Sequence, residues 1–399
     1  MNKNLISLIV CQVLAMSGPP IVVLLGGILG VEFAPSPSFS TLPVSLLIVG
    51  VACATIPSSL LMRKIGRRKG FILGSLVATI AALIAAIAVY RSNFALFCTA
   101  TLFIGASGAF VQQYRFAAAE TVSPKFAGRA VSFLMVSGII AAFLGPQIAN
   151  LTQDSLPMGL YIGSFVALAG LYFLVFVIMV LFYRDDIPVH IGLQGLSRPL
   201  SRIIRQPKFL LAVFCAAVGY GMMSFIMTAT PVQMHTLSGF HLQSTTLVIQ
   251  SHIIAMYLPS VFTGLLIERF GLLRILLSGM LILLTCVLLG VISRLFWEYW
   301  GALVLLGIGW NLLFVGGTLL LTQSYSPVEK FKAQAVNDFV IFSFQSFASF
   351  TAGVVLFASN WSILNMIIIP ILALLLFTLI VNRKHIEVQT EIIGTIRTA

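Results

Sequence analysis

The stretch Arg63-Lys64-Ile65-Gly66-Arg67-Arg68-Lys69 puts five cations into seven residues, and it stands between two long runs without a charge, 33–62 and 70–90. In water such a block would be an ordinary solvated face. Between two membrane-length apolar segments it is an anchor, because Lys and Arg close to spans fix the cytoplasmic side. A related stretch, Gly264-Leu265-Leu266-Ile267-Glu268-Arg269-Phe270-Gly271, again joins two apolar runs, and its last glycine follows Gly66 by 205 residues. The two loops read as one device used twice, in a duplicated polytopic membrane protein.

Composition points the same way. The chain is 59% hydrophobic and 9% charged, with a mean hydropathy of +1.07, whereas soluble chains carry about a quarter charged residues. Its 399 residues leave room for roughly a dozen helices of ~20 residues with short loops. The net charge of +12 and pI near 9.8 do not signal nucleic acid, since the basic residues sit in short loops rather than on one folded face. Positive-inside anchoring and contact with anionic membrane lipid account for them. Cys11, Cys53, Cys98, Cys215 and Cys286 lie singly within apolar runs, without CxxC or Cys/His spacing. They read as small buried apolar residues, and neither a metal nor a cofactor is expected. The apolar run after Met1-Asn2-Lys3-Asn4 continues to about Gly30, past a ~7–15-residue signal core, so it reads as a retained first span.

The expected architecture is an all-α membrane protein with twelve spans, at about 5–30, 42–62, 70–90, 94–119, 128–152, 158–183, 209–233, 243–267, 272–293, 298–322, 333–357 and 360–382. Sidedness tests this count. With the N-terminus inside, the inner loops collect Lys3, the 63–69 block, Lys125, Arg129, Arg184, Arg198, Arg202, Arg205, Lys208, Arg269, Arg274, Lys330, Lys332, Arg383, Lys384 and Arg397, while the outer loops keep Arg91 and Arg294. That asymmetry implies an even number of spans and cytoplasmic N- and C-termini; a bacterial cytoplasmic (inner) membrane is the expected location. The polar stretch 184–208 divides the chain into a six-helix unit over 1–183 and another over 209–382, with a tail over 383–399. Phe126-Ala127-Gly128-Arg129-Ala130-Val131 parallels Phe331-Lys332-Ala333-Gln334-Ala335-Val336 at the same 205-residue offset, each copy after a Ser-Pro pair. Parallel halves with a site near the bilayer midplane follow from such a repeat.

At these residues the chain resembles the major facilitator superfamily of secondary transporters. The family joins its second and third spans by Gly-x3-Asp-Arg/Lys-x-Gly-Arg-Arg/Lys. Lys64, Gly66, Arg67 and Arg68 match that signature, with Ser59 in place of the glycine and Arg63 in place of the aspartate. The second copy keeps Gly264, Arg269 and Gly271, with Glu268 at the acidic position. Glu120-Thr121-Val122-Ser123-Pro124 with Gly128-Arg129 looks like the family's loop after span 4, and Gly145-Pro146 resembles the Gly-Pro of its antiporter motif. The resemblance implies two pseudo-symmetric six-helix bundles and alternating access. It also implies gating roles for Arg63, Gly66, Arg67, Glu120, Arg129, Glu268, Arg269 and Gly271. In the family the motif carboxylate faces the positive end of span 11. Arg63 would meet like charge there, so the expectation is a swapped pair of Arg63 with Asp338, with Glu120 toward Arg67 and Glu268 toward Arg129. Simple anchoring without gating is the bland alternative.

Charges inside hydrocarbon cost at least ~2.5–3.5 kcal/mol, so each one needs a reason. Span 4 carries Gln112-Gln113-Tyr114-Arg115, and helical spacing puts Gln112 and Arg115 on one face. Arg115 could hold an anionic group through two parallel hydrogen bonds, or could be satisfied by Glu120, by carbonyls, or by snorkelling. His252 could carry a coupling proton, as could Asp338, or it could be a neutral histidine bonded between helices. Gln12, Tyr114, Tyr220, Trp310, Asn311 and Gln345 complete the expected solute contacts, while Met222, Met223 and Met227 read as packing. Gly18-Pro19-Pro20 marks a kink in the first span, of a kind that often lines a cavity. No acidic residue lies in the middle of spans 1–3 or 7–10, which tilts the solute toward neutral or anionic molecules: a metabolite, a drug or a siderophore-like compound. No catalytic triad, His-Glu-x-x-His or phosphate-cradling loop is present, so no enzyme is expected. A proton-coupled monomeric carrier of a small molecule is the expectation, with a passive facilitator or a non-transporting receptor as rivals.

Overall fold

A computed structural model describes residues 3–122, 127–184, 198–326 and 328–387. Helices account for nearly all of them. The first half comprises α1 (Lys3–Met16), α2 (Gly18–Phe33), α3 (Leu42–Ile65), α4 (Arg67–Tyr90), α5 (Phe94–Val111), α6 (Tyr114–Glu120), α7 (Ala127–Thr152) and α8 (Ile162–Leu181). After the short α9 (Leu200–Ile204) come α10 (Pro207–Pro231), α11 (Leu242–Tyr257), α12 (Ser260–Phe270), α13 (Leu272–Ile292), α14 (Phe296–Thr322), α15 (Lys330–Ala358), α16 (Trp361–Met366), α17 (Ile368–Val381) and α18 (Arg383–Glu387).

Among the described residues, ten helical segments are long and apolar enough to cross a membrane. The pair α11 and α12, bent by 44°, makes an eleventh if counted as one span, and Val136–Thr152 within α7 is apolar but shorter. Each expected span therefore falls on helix, and four are interrupted, the twelfth at Ile367 between α16 and α17. The first breaks at Ser17, before Gly18-Pro19-Pro20, and the fourth breaks at Gln112 and Gln113. The eighth breaks before Ser260, at Pro259, because proline cannot donate the bond that would continue the helix.

Surfaces are patterned for lipid. On α4, Leu73, Leu76, Ile80, Leu83 and Ile87 are exposed at spacings of three and four, while Gly74, Ala78, Ala81 and Ala85 are buried on the opposite face. That is one helix with an oily outer stripe and a small-residue inner one, the pattern that lets backbones approach closely in a membrane. The approach is closest between α3 and α5. A Cβ on Gly50 would strike the carbonyl of Leu102, and one on Gly105 would strike the carbonyl of Leu47. Four of the five cysteines are buried as expected; Cys53 is exposed, on a face of α3 that the apolar environment can cover.

The two basic loops share one backbone conformation. Gly66 has φ +88° and ψ 158°, and Gly271 has φ +86° and ψ 152°. Each donates its N–H to the last turn of the helix before it (Met62 O and Ile267 O, both 2.9 Å) and starts the next helix. Side chains are excluded from that region of φ, so both copies need glycine.

The chain packs as two compact units. Unit 1 is Met1–His190 with Met227–Gln250 and Ser349–Ala358, and unit 2 is Ile191–Ile226, Ser251–Ala348 and Ser359–Ala399. This division follows packing, whereas the repeat divides the chain between 183 and 209. Unit 1 gains its extra segments through hydrogen bonds. Thr41 Oγ1 donates to Phe350 O (3.1 Å) and accepts from Gly353 N (3.1 Å). The Ser349 hydroxyl bridges Ser45 Oγ (3.2 Å) and Thr228 Oγ1 (3.1 Å), and Gln250 Nε2 donates to Phe143 O (3.1 Å). We call this network the seam.

Candidate functional site

Unit 2 gathers an aromatic group on α10, α14 and α15. Trp310 and Phe314, one turn apart on α14, lie nearly parallel, with centroids 5.0 Å apart and planes at 15°. Tyr220 of α10 meets both edge-on, at 5.0 and 5.2 Å, and Phe342 of α15 at 6.2 Å. Ala216, Ala217 and Ile341 form the buried floor against which Tyr220 and Phe314 pack. Trp310 is 3% exposed and its Nε1 has no acceptor among the described residues, and the buried Oε1 of Gln345 on α15 likewise has no donor. A buried, unused N–H beside stacked rings is costly unless something else accepts from it.

Unit 1 carries its own unused groups. Gln12, just before the break in the first span, is 7% exposed and its Oε1 has no donor among the described residues. Arg115, just past the break in the fourth, is half-buried; its guanidinium carbon lies 4.8 Å from the Phe116 ring and its buried Nε has no acceptor among the described residues. Gln112, at the break itself, is half-buried. Tyr114 faces the helix core instead: it is 1% exposed and stands edge-on to Phe71 at 4.7 Å.

Two expected contacts are engaged in helix geometry. Asn311 is fully buried, and its amide holds the α11–α12 bend: Nδ2 donates to Met256 O (2.7 Å) and Ser260 Oγ (2.5 Å), while Oδ1 accepts from Thr263 Oγ1 (2.7 Å). Those bonds replace what the break at Pro259 takes from the backbone, as a broken membrane helix requires. His252 is also fully buried. Its Nδ1 donates to Leu303 O at 2.8 Å, and its Nε2 has no partner among the described residues.

Of the expected gating residues, Arg63, Glu268 and Arg269 are exposed and Arg67 is half-buried. Arg269 lies against its neighbour, with its guanidinium carbon 5.5 Å from the Phe270 ring. The side chains of Glu120 and Arg129 lie outside the described residues. Asp338 is half-buried and accepts from Asn337 Nδ2 at 3.0 Å. Phe314 and Phe342 were not anticipated, although the i, i+4 spacing of Trp310 and Phe314 puts both rings on one helix face.

The family description Major Facilitator Superfamily matches residues 5–258. The chain is 38% identical over 388 residues, 96% of each protein, to the riboflavin transporter RfnT of Brucella anthropi. It is 28% identical to the uncharacterized MFS-type transporter YddS of Bacillus subtilis, over 95% of this chain and 90% of that one. Among solved structures it is similar to a bacterial homologue of the human lysosomal transporter Spinster, in an inward-facing and unoccupied conformation. That similarity has a TM-score of 0.72 and 13% identity, over 97% of this chain and 96% of the other. The match over most of the chain, the relative at this identity and the shared fold make this a transporter of small solutes: the chain belongs to the major facilitator superfamily.

Proposed function

We propose that this protein is a secondary transporter of a flavin-class solute, a planar conjugated ring with carbonyl acceptors and a hydroxylated side chain. The observation that carries the proposal is the identity with the riboflavin transporter across nearly the whole of both chains. The unit 2 aromatic group supports it. Stacked indole and phenyl rings suit a flat ring system, and the unused Trp310 N–H suits one of its carbonyls. Gln12 and Arg115 offer a second set of unused atoms for hydroxyls, carbonyls or an anionic group. The lack of an acidic residue in the middle of spans 1–3 and 7–10 agrees with a solute that is not cationic.

With the basic loops on the cytoplasmic side, the seam lies toward the outer face, and alternating access requires it to open and close. Coupling to protons is assigned to Asp338, which is half-buried; His252 is sealed among helices with its Nδ1 held by a carbonyl. The test is counterflow of labelled riboflavin into proteoliposomes preloaded with unlabelled riboflavin, which needs no driving force and works for import or export. Accumulation above that of protein-free vesicles is expected. Binding without counterflow would mark a receptor, and neither binding nor counterflow would refute the solute class. An imposed pH gradient that drives riboflavin uphill supports coupling, whereas equilibration alone supports a facilitator.

A further inference from the structure

Unit 2 contains a cavity on the far side of the floor beneath the aromatic group, with Ala217 common to both. It has a volume of about 590 Å³ and is lined by α10 (Pro207 to Val218), α15 (Val340 and Phe344) and α17 with its end (Thr378 and Asn382). Thr378 and Asn382 are its only polar lining residues, and both are occupied by their own helix: Thr378 Oγ1 donates to Leu375 O (2.8 Å) and Asn382 Nδ2 to Thr378 O (2.9 Å). The other nine lining residues are apolar, which suits a hydrocarbon chain better than a polar solute. The wall is open to the hydrocarbon, since Leu210, Val340 and Phe344 are 57%, 38% and 38% exposed.

Its length and its ends say what fits. From Pro207 to Val218 a helix rises about 16 Å, which is half of the ~30 Å hydrocarbon core and so one leaflet deep. One end is basic: Lys208 follows the lining residue Pro207, Arg383 follows Asn382, and Arg205 is two residues before Pro207. No carboxylate pairs with these three cations among the described residues. In the first half the matching helix ends are tied shut, because Asn4 Nδ2 donates to Arg184 O (3.0 Å) and Arg184 N donates back to Asn4 Oδ1 (3.1 Å). The second half leaves that corner open.

We propose that this cavity is a binding site for one acyl chain of an anionic phospholipid, whose headgroup is held by Lys208 and Arg383. Cations at a membrane surface attract anionic lipid at about 1 kcal/mol each, which one RT converts to roughly five-fold per residue. The site is independent of the transported solute. The test is native mass spectrometry of the purified, delipidated protein titrated with phosphatidylglycerol or with phosphatidylcholine of the same chains. The wild type is expected to retain one phosphatidylglycerol at least about five-fold more readily than phosphatidylcholine. Thr378→Phe and Val340→Trp, which fill the cavity from two different helices, should lose both lipids. Lys208→Gln with Arg383→Gln should keep chain occupancy but lower phosphatidylglycerol to the level of phosphatidylcholine. Equal retention of the two lipids by the wild type, unchanged retention in both filling variants, or an unchanged preference in the charge variant would overturn the site. Should the filling variants fail to fold, the charge variant alone decides.

Discussion

Arg198 and Glu329 are joined by two parallel hydrogen bonds of 2.7 Å, Nε to Oε1 and Nη2 to Oε2, with the carboxylate side chain only 1% exposed. Two backbone N–H groups complete the shell, Arg198 N to Oε1 and Ser326 N to Oε2, both at 2.9 Å. The guanidinium also reaches Ser324 O at 3.2 Å, which Gln206 Nε2 meets at 2.9 Å. The residues that enter α9 are thereby tied to the loop that leads into α15. A buried carboxylate is tolerable only when every lone pair is engaged, and here the count is complete.

This clasp should be visible in stability against pH. The Arg198 guanidinium first, then the Ser326 N–H, hold the Glu329 carboxyl well below the usual carboxylate range. A depressed folded-state value contributes stability that is fully present above the unfolded value of about 4.3 and fades as pH falls through the folded one. Glu329→Gln should therefore lower the melting temperature at pH 7, and the gap from wild type should begin to narrow below about pH 4. Arg198→Ala should do the same, and the double variant should lose little more than either single one, because the two groups act as a unit. Thermal unfolding of the purified protein from pH 3 to 8 reads all three; additive losses would sink the clasp.

Much of this architecture is legible in the sequence. Apolar runs of span length, cations confined to alternate loops and the recurring glycine reported the helices and the repeat, because membrane burial and the Gly66 and Gly271 dihedrals depend on local sequence. Long-range partnerships were not legible. Glu329 belongs to two extra residues, Val328 and Glu329, between the Ser-Pro pair and the phenylalanine of the second copy, so the repeat offered no template for it. Asn311 reads as a solute contact because a polar side chain in mid-span invites that reading. The partners of its amide, Met256, Ser260 and Thr263, are about fifty residues away in sequence, so no local pattern points to them.

Asn311 therefore gives a prediction about folding rather than transport. Replacement by Ala takes the amide donor from the Met256 carbonyl and the Ser260 hydroxyl in the α11–α12 bend, while the Thr263 hydroxyl keeps Pro259 O at 2.8 Å. A single membrane hydrogen bond averages only about 0.6 kcal/mol, but stranding buried groups costs roughly 1–3 kcal/mol, and here three bonds go together. Asn311→Ala should lower thermal stability markedly and expose the bend to faster hydrogen exchange around 256–263. A stable, well-folded variant with selectively weakened solute affinity would instead put the amide in the binding site.

Trp310 should behave in the opposite way. Aromatic pairs contribute about 0.5–1.5 kcal/mol beyond their buried area, so removal of the indole should raise the KM for riboflavin by between about two- and ten-fold, with a smaller change in kcat. Trp310→Phe retains a ring for stacking but no N–H, and should fall between wild type and Trp310→Ala. Equal kinetics for Phe and Trp would show that the unused Nε1 contributes nothing to recognition.

The seam makes the last prediction, and it concerns populations. Ser45, Ser349 and Thr228 hold one another through hydroxyls, the Thr41 hydroxyl holds the backbone of Phe350 and Gly353, and Gln250 holds the carbonyl of Phe143. None of these bonds is strong alone. A two-state equilibrium, however, shifts ten-fold for about 1.4 kcal/mol, so losing two of them can repopulate an opened state. Ser349→Ala with Gln250→Ala should leave the fold intact and raise the population in which this end is open. Thr230, fully buried in unit 1, supplies the reporter: Thr230→Cys in a background without the native cysteines should react slowly with a membrane-impermeant maleimide. In the double variant that rate should rise about ten-fold. If the rate does not change, the seam is ordinary packing and gating must act elsewhere in the protein.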